Sequence, residues 1–254
     1  MQSKIKPFGE KYNIVIPGDY EKTIDFCSEH FFSLANEAIE KRGNFFVALS
    51  GGSTPKAMYE RLALPKNANR ADWSKVKIFW GDERPVPPTH PDSNYKMAMD
   101  AAFSKLPVPE ANIFRITAER DMELNARFYE KTIQDFIPSE TFDMMILGMG
   151  DDGHTASLFP HTAGLEVLDH LVITNNIPQN DTCRITLTYP CINKARNICI
   201  FVLGAGKAKT LEKVMSSPAT PDTYPIQKVG SPNNKALWVL DEDAAKLILK
   251  DLQV

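Results

Sequence analysis

Short apolar runs alternate with amphipathic segments along almost the whole chain. The runs cover residues 12–17, 44–50, 76–80, 142–148, 184–189, 197–204 and 236–240. Continuous apolar runs of this length are typical of strands that are covered on both faces. Because segments with helical character separate these runs, the sequence predicts a doubly wound α/β fold, in which a mostly parallel sheet carries helices on both faces.

The segment after the first run has a clear helical period. Its apolar residues recur at three- and four-residue spacings and therefore share one helix face: Ile24, Cys27, Phe31, Leu34, Ala35 and Ala38. Further helices are predicted over 54–64, 93–106, 119–136, 206–215 and 242–252. The Pro- and Asn-containing stretches 64–72 and 216–235 are expected to be surface connections. No repeat or low-complexity tract divides the chain, so a single domain over residues 1–254 is predicted.

Composition bounds the kind of ligand that such a domain can attract. The chain has 254 residues, of which 43% are hydrophobic, and this is enough to fill a substantial core. Lysines and arginines number 29 against 32 acidic residues, which gives a net charge of -3. No overall basic field exists to gather nucleic acid or acidic lipid, so an anionic ligand must be held by a local pocket.

Cysteine spacing and hydropathy indicate the cellular compartment of the protein. The four cysteines show neither a CxxC pair nor zinc-finger spacing: Cys27, Cys183, Cys191 and Cys199. Residues 1–13 lack the apolar run of a secretory signal, and no stretch approaches the roughly 20 apolar residues that cross a bilayer. We therefore expect reduced thiols in a cytoplasmic protein with no membrane partner, with Cys27 and Cys199 buried as small hydrophobes.

In an open α/β sheet, ligands bind beyond the carboxyl ends of the strands, and the segment after the second apolar run suits a phosphate. Here Ser50, Gly51, Gly52, Ser53 and Thr54 lead into a predicted helix. Glycines allow close backbone approach, hydroxyls can donate, and unpaired N–H groups at a helix start attract anions. A tight turn with a threonine N-cap explains the same residues equally well. The P-loop spacing is absent.

Three adjacent charges follow the third apolar run. Asp82, Glu83 and Arg84 open a loop that several prolines stiffen, which is typical of residues held in place for use. A solvated turn in which Asp92 or Ser93 caps the next helix is the alternative. For Asp92 and Ser93 the capping role is favoured, whereas for Arg84 a functional role is favoured.

The fourth run ends in a glycine-rich loop that carries Asp152 and His154. Gly148, Gly150 and Gly153 spell GxGxxG, but this is not a dinucleotide site, since aspartates stand where a pyrophosphate needs bare N–H groups and a proline interrupts the required helix. An imidazole can act as a base near neutral pH, and a nearby carboxylate can orient it. The loop therefore offers a candidate base.

A metal site is an alternative interpretation of this region. His154 and His161 with Asp151 or Asp152 supply ligand types, but nothing fixes a third ligand or the spacing, so no metal is expected. The remaining histidines are interpreted as structural: His30, His90, His161 and His170.

Two cations complete a possible anion pocket. Arg184 opens the fifth apolar run, and Lys207 follows two glycines after the sixth. A lysine at a helix start and the fork of an arginine both suit phosphate. Each is a common surface residue alone, but together with segment 50–54 they become a plausible phosphate site.

Five segments in this order resemble the 6-phosphogluconolactonase family, within a wider group that includes glucosamine-6-phosphate deaminase. They are LSGGSTPKAMYERL, WGDERPVPPTHPDSNYKMA, ILGMGDDGHTASLFP, RITLTYP and VLGAGKA. The resemblance implies the same doubly wound fold and a phosphorylated sugar lactone as substrate, without a cofactor. It further implies that His154 is the general base, that segment 50–54, Arg184 and Lys207 hold phosphate, and that Arg84 lies near the developing charge.

Asp152 is expected to orient His154, and Asp82 is expected among the residues that contact substrate. A covalent serine route is disfavoured, since neither Ser53 nor Ser157 sits in a G-x-S-x-G elbow. The protein is expected to be a monomer or a small homo-oligomer.

Deaminases of the wider group carry a tyrosine after the DE pair and a glutamate before the proline of the DGH loop. This chain has Arg84 and Phe159 at those positions. An isomerisation with amine release needs that carboxylate for proton relay, whereas ester hydrolysis needs one base and an anion-stabilising group. The lactonase interpretation is therefore favoured over a sugar-phosphate isomerase, and over a sensor that binds sugar phosphate without chemistry, which would need no base.

Overall fold

The computed structural model describes residues 4–216 and 218–249, and strands and helices alternate through them. The strands are β1 Lys6–Phe8, β2 Tyr12–Val15, β3 Phe45–Leu49, β4 Val76–Trp80, β5 Asp82–Glu83, β6 Met144–Leu147, β7 Val172–Ile177, β8 Thr182–Leu187, β9 Ile198–Val202 and β10 Ala236–Leu240. The α-helices are α1 Tyr20–Arg42, α2 Ser53–Leu62, α3 Asn94–Ala98, α4 Met122–Phe136, α5 Tyr189–Lys194, α6 Ala208–Ser216 and α7 Glu242–Ala245.

The main sheet has the strand order β1-β2-β10-β9-β6-β3-β4. Only β1 runs antiparallel to its neighbour, and the other pairs are parallel. The chain passes from β3 to β4 at the sheet edge and then returns to β6 on the other side of β3, so the strand order reverses between β3 and β6. The predicted doubly wound, mostly parallel sheet is confirmed.

Helices cover both faces of this sheet. Phe31 of α1 packs edge-on against Phe45 of β3, with ring centroids 5.3 Å apart, and Tyr129 of α4 lies 6.1 Å from Phe79 of β4. Phe45 is in register with Val76, three residues before Phe79, so Phe45 and Phe79 point to opposite faces. The two-sided packing predicted from the continuous apolar strands is therefore confirmed.

The strand predicted at 184–189 is not part of the main sheet but belongs to a second sheet. Its residues form β8, which pairs antiparallel with β5 and β7. Strand β8 alternates polar Arg184 and Thr186 with apolar Ile185 and Leu187, a period-two pattern typical of antiparallel strands. The strand ends at Leu187, and α5 begins at Tyr189.

Several predicted boundaries also differ. The helix predicted over 93–106 ends in a π-helical turn, Met99–Phe103, and α6 begins at Ala208 rather than at 206. Helix α7 ends at Ala245, while residues 250–252 of its predicted extent lie outside the described residues. Segment 216–235 is not a simple surface connection, because Ile226 and Val229 are buried in the core.

Three of the four cysteines are buried in the core. All four are free thiols, and the predicted burial of Cys27 and Cys199 is confirmed, with Cys191 buried as well. Burial raises the pKa of Cys191 and of Cys199 to about 12, so both stay protonated and unreactive near neutral pH.

No helix within residues 4–216 and 218–249 is both long and apolar enough to cross a bilayer.

The side chain of Asp143, the residue before β6, links α1 to β3. Its buried carboxylate accepts hydrogen bonds from Arg42 Nε at 2.9 Å and from the backbone N–H of Phe46 at 2.9 Å, and Arg196 Nε lies 3.4 Å away. The two arginine side chains are 34% and 46% exposed, so solvent screens part of this attraction. The stabilisation comes mainly from the carboxylate oxygen that satisfies the partly buried N–H of Phe46.

We expect Asp143→Ala to lower the free energy of unfolding by about 1–3 kcal/mol, because the Phe46 N–H loses its acceptor. Urea unfolding measures the effect. Asp135→Ala, which removes only an exposed pair with Lys131, is the matched control and should change stability by at most about 0.5 kcal/mol. Equal losses in both variants would show that the buried acceptor is unimportant.

Candidate active site

The site lies at the edge of the main sheet where β3, β4, β6 and β9 end. These strands are mutually parallel, so the segments that follow them meet at one edge. Between them lies a cleft lined by polar and charged side chains, as small-molecule sites need for specific recognition. The cleft opens where the strand order reverses, between β3 and β6, which is where open α/β sheets bind ligands.

The structure brings the predicted site residues together. Those that line the cleft are Ser50, Gly51, Gly52, Ser53, Thr54, Asp82, Arg84, His154, Arg184 and Lys207. Asp152 does not line it but lies against His154. Residues that are more than 150 positions apart in the sequence thus share one pocket.

Segment 50–54 presents the start of a helix to the cleft. Helix α2 begins at Ser53, so Thr54 lies within the helix, and Gly52 occupies the N-cap position that the tight-turn alternative gave to Thr54. Gly52 has a φ of 102°, which a residue with a side chain rarely adopts. A cap without a side chain leaves the first-turn N–H groups of α2 available to an anion.

His154 and Asp152 form a close pair. The Nδ1 atom of His154 lies 2.6 Å from Oδ1 of Asp152, and the same oxygen accepts the backbone N–H of His154 at 3.1 Å. Burial raises the pKa of Asp152, but the hydrogen bonds and charge of His154 outweigh it, so the pKa is lowered overall. An ionised Asp152 accepts the Nδ1 proton, which leaves Nε2 as the basic nitrogen.

The ring of His154 is also held on its face and at its edge. Phe159 stacks against it with ring centroids 3.9 Å apart. At Gly150, a side chain would clash with His154 Nδ1 and with Asp152 Oδ1, so the backbone passes close to the pair only because this residue is glycine. These contacts fix the direction in which the imidazole faces.

A distant segment supports the loop that carries His154. The backbone N–H of Ile226 donates to the carbonyl of Gly153 at 3.0 Å, and Tyr224 packs against Gly153. Sequence reasoning missed this support because it placed 216–235 on the surface. The buried apolar residues of that segment, including Ile226, are the signal that could have revealed it.

Two arginines line the cleft, and each has an unused hydrogen-bond donor. Arg84 donates from Nη1 to the carbonyl of Asp92 at 2.6 Å, and Arg184 lies over the ring of Phe159, 5.3 Å from its centroid. The Nε atoms of both are buried and lack a hydrogen-bond partner among the described residues. Buried N–H donors are normally satisfied, so both guanidinium groups are suited to an anionic ligand.

Asp82 offsets part of this positive charge. Its Oδ2 accepts from Oγ of the fully buried Ser157 at 2.6 Å, and the same Oγ lies 3.5 Å from Nη1 of Arg184. Burial lowers the pKa of Arg184, while Asp82 raises it, and an arginine remains charged throughout the physiological range. Ser157 therefore links the loop of His154 to both charged groups.

Asn94 also lines the cleft, and sequence reasoning missed its role. Its Nδ2 donates to the Asp82 carbonyl at 2.9 Å, and its amide fills the space where a side chain at Gly51 would lie. Glu83 does not line the cleft, and its carboxylate accepts from Ser93 Oγ and from the backbone N–H of Asn94. Ser93 caps α3, as the capping interpretation of that segment expected.

Lys207 reaches the cleft from the turn after β9. Its Nζ lies 2.6 Å from Oδ1 of Asp151, which belongs to the same loop as His154. His161 lies outside the cleft, in a separate depression with His170. Within residues 4–216 and 218–249, no group of three His, Cys, Asp or Glu side chains is placed to hold a metal ion.

Comparison with known proteins gives a consistent family. The family model described as glucosamine-6-phosphate isomerases/6-phosphogluconolactonase matches residues 18–238. A Chlamydia muridarum protein named 6-phosphogluconolactonase is 40% identical over 233 residues, which cover 92% of this chain and 89% of the relative. A Synechocystis protein of the same name is 42% identical over 216 residues, covering 83% and 87%.

Similar solved structures support the same family. The crystal structure of a protein called devB superposes with a TM-score of 0.84 at 34% identity and covers 92% of this chain and 98% of that one. The 6-phosphogluconolactonase of Thermotoga maritima gives 0.77 at 28% identity, covering 90% and 98%. On this evidence the chain belongs to the glucosamine-6-phosphate isomerase/6-phosphogluconolactonase family.

Proposed function

We propose that this protein hydrolyses 6-phosphoglucono-1,5-lactone to 6-phosphogluconate, as the names of its relatives suggest. The observation that carries the proposal is a carboxylate-oriented histidine in one cleft with two arginines that have unused buried donors. A base and an anion-stabilising group are what ester hydrolysis requires.

The phosphate binds at the start of α2, between the first-turn N–H groups, Arg184 and Lys207. Helix N-termini attract anions, and an arginine fork with a lysine ammonium adds charge-assisted hydrogen bonds. With the phosphate anchored there, the lactone carbonyl extends toward His154 and Arg84, which line the same cleft. Such positioning converts the attack of water into a reaction within a bound complex.

The chemistry then follows from the His154–Asp152 pair. Nε2 of His154 takes a proton from a water molecule as the water oxygen bonds to C1 of the lactone. Arg84 stabilises the negative charge that develops on the carbonyl oxygen. As the bond from C1 to the ring oxygen breaks, His154 returns the proton to that oxygen, which becomes a hydroxyl. C1 becomes a carboxylic acid, which releases its own proton to solvent to give the carboxylate. Asp152 holds the Nδ1 proton throughout.

The site gives less support to an aldose–ketose isomerisation with loss of ammonia. Such a reaction needs a carboxylate to relay protons in addition to a base. At the corresponding place stands Phe159, whose ring stacks on His154 and underlies Arg184. An aromatic ring there can orient the imidazole but cannot carry a proton.

The proposal is tested by following acid release from freshly generated 6-phosphogluconolactone against its spontaneous hydrolysis. We expect the protein to accelerate the reaction strongly and to act far less well on unphosphorylated gluconolactone. Release of ammonia from glucosamine 6-phosphate, without acceleration of lactone opening, would overturn the proposal. The cytoplasmic location and the monomeric or small homo-oligomeric state stay predictions.

Lys207→Ala should weaken binding of the phosphorylated substrate. We expect KM to rise with kcat little changed, because the phosphate contact is made equally in the ground state and the transition state. Steady-state kinetics on the phosphorylated lactone measures this, with Lys209→Ala in the same helical segment as the matched control. An unaltered KM in Lys207→Ala would remove Lys207 from the phosphate pocket.

A further inference from the structure

We propose that Asp151 competes with the substrate phosphate for Lys207 and so sets how tightly the cleft holds phosphate. The proposal deepens the proposed function and rests on its phosphate pocket. It concerns an aspartate that the hydrolysis itself does not use, since Asp152 is the partner of His154.

The geometry pairs Lys207 with a carboxylate inside the protein. Nζ of Lys207 lies 2.6 Å from Oδ1 of Asp151, and Lys207 lines the cleft whereas Asp151 does not. The Asp151 side chain is 87% exposed, so it can swing into solvent at little cost in packing. A carboxylate and a phosphate are both anionic acceptors for an ammonium group. A phosphate that binds Lys207 therefore has to displace Asp151 or share the ammonium with it.

A backbone contact keeps this competitor in place. Thr210 Oγ1 donates to the carbonyl of Asp151 at 2.8 Å, which holds the backbone of Asp151 against the first turn of α6. Because that contact does not involve the carboxylate, it survives when the side chain leaves Lys207. The Asp151 carboxylate thus stays close to the ammonium at high effective concentration and returns when phosphate departs.

The size of the effect follows from exposure. Exposed ion pairs contribute little, so removing the competing carboxylate is expected to tighten phosphate binding by about two- to five-fold. Screening by salt should shrink the gain, since the carboxylate is open to solvent.

The experiment measures binding of inorganic phosphate by titration calorimetry at low ionic strength. Asp151→Asn keeps the size of the side chain and removes its charge. Asp169→Asn makes the same change in net charge at an exposed residue outside the cleft. We expect a two- to five-fold lower Kd for Asp151→Asn, an unchanged Kd for Asp169→Asn, and no gain from Asp151→Asn when Lys207→Ala is already present.

Three results would overturn the proposal. Weaker or unchanged phosphate binding in Asp151→Asn would show that the aspartate orders Lys207 or does nothing. An equal gain in Asp169→Asn would reveal a general charge effect, and a gain that persists beside Lys207→Ala would place the competition elsewhere. Lactone hydrolysis by the wild-type protein is measured separately, so an inactive wild type would refute the proposed function, whereas an active one with no Asp151 effect would refute this inference alone.

Discussion

His154→Ala is expected to lower kcat for lactone hydrolysis by about 10²- to 10⁴-fold, the usual contribution of a general base. The imidazole is the base in the proposed reaction, and its Nδ1 is already committed to Asp152 at 2.6 Å. The side chain is partly exposed at the cleft, so its loss should leave the fold intact. Initial rates, corrected for spontaneous opening of the lactone, measure the effect.

The chain offers a matched control for that variant. His170 also places Nδ1 against a carboxylate, that of Glu130, at 3.2 Å, but it lies outside the cleft. His170→Ala should leave kcat unchanged, while thermal unfolding of both variants reports any damage to the fold. If His154→Ala turned over substrate at the wild-type rate, His154 would not be the base.

Arg84→Ala is expected to lower kcat by about 10²- to 10³-fold, the loss typical of removing one donor to a developing oxyanion. The buried Nε of Arg84 lacks a partner among the described residues, and Nη1 donates to the Asp92 carbonyl at 2.6 Å. Arg84 lines the cleft, and the hydrogen bond to Asp92 fixes its guanidinium group there. Because the carbonyl oxygen gains charge only in the transition state, KM should change much less than kcat.

Two further variants separate the charge of Arg84 from its geometry. Arg84→Lys keeps the positive charge but loses the planar fork, so we expect only partial recovery of kcat. Arg127→Ala removes an arginine outside the cleft and should have no effect on kcat. A large rise in KM with unchanged kcat in Arg84→Ala would place this residue in the phosphate pocket instead.

The sequence predicted the parallel sheet and the polar residues that follow its strands. Both can be recognised in short stretches of sequence, the strands from their apolar runs and the site residues from their place directly after such a run. Apolar runs such as 76–80 mark buried strands, and the charges of Asp82 and Arg84 follow one of them directly. Parallel strands then bring such segments to one edge whatever their separation along the chain. The meeting of His154 with Lys207 follows from that topology.

Other features depend on contacts that no local pattern reveals. Whether 184–189 joins the main sheet or a small antiparallel one depends on which strand edge it meets, and β8 pairs with β5 and β7. Ser157 and Asn94 are buried polar side chains whose roles arise only from their contacts with Asp82. The pairing of Asp151 with Lys207 likewise joins residues 56 positions apart.

A crystal structure with bound 6-phosphogluconate tests most directly whether one cleft holds both ends of the substrate. We predict that the phosphate contacts the start of α2, Arg184 and Lys207, and that the C1 carboxylate lies within direct or one-water hydrogen-bonding reach of His154 Nε2, beside Arg84. A phosphate bound away from these residues, or a carboxylate turned away from His154, would contradict this account of the site.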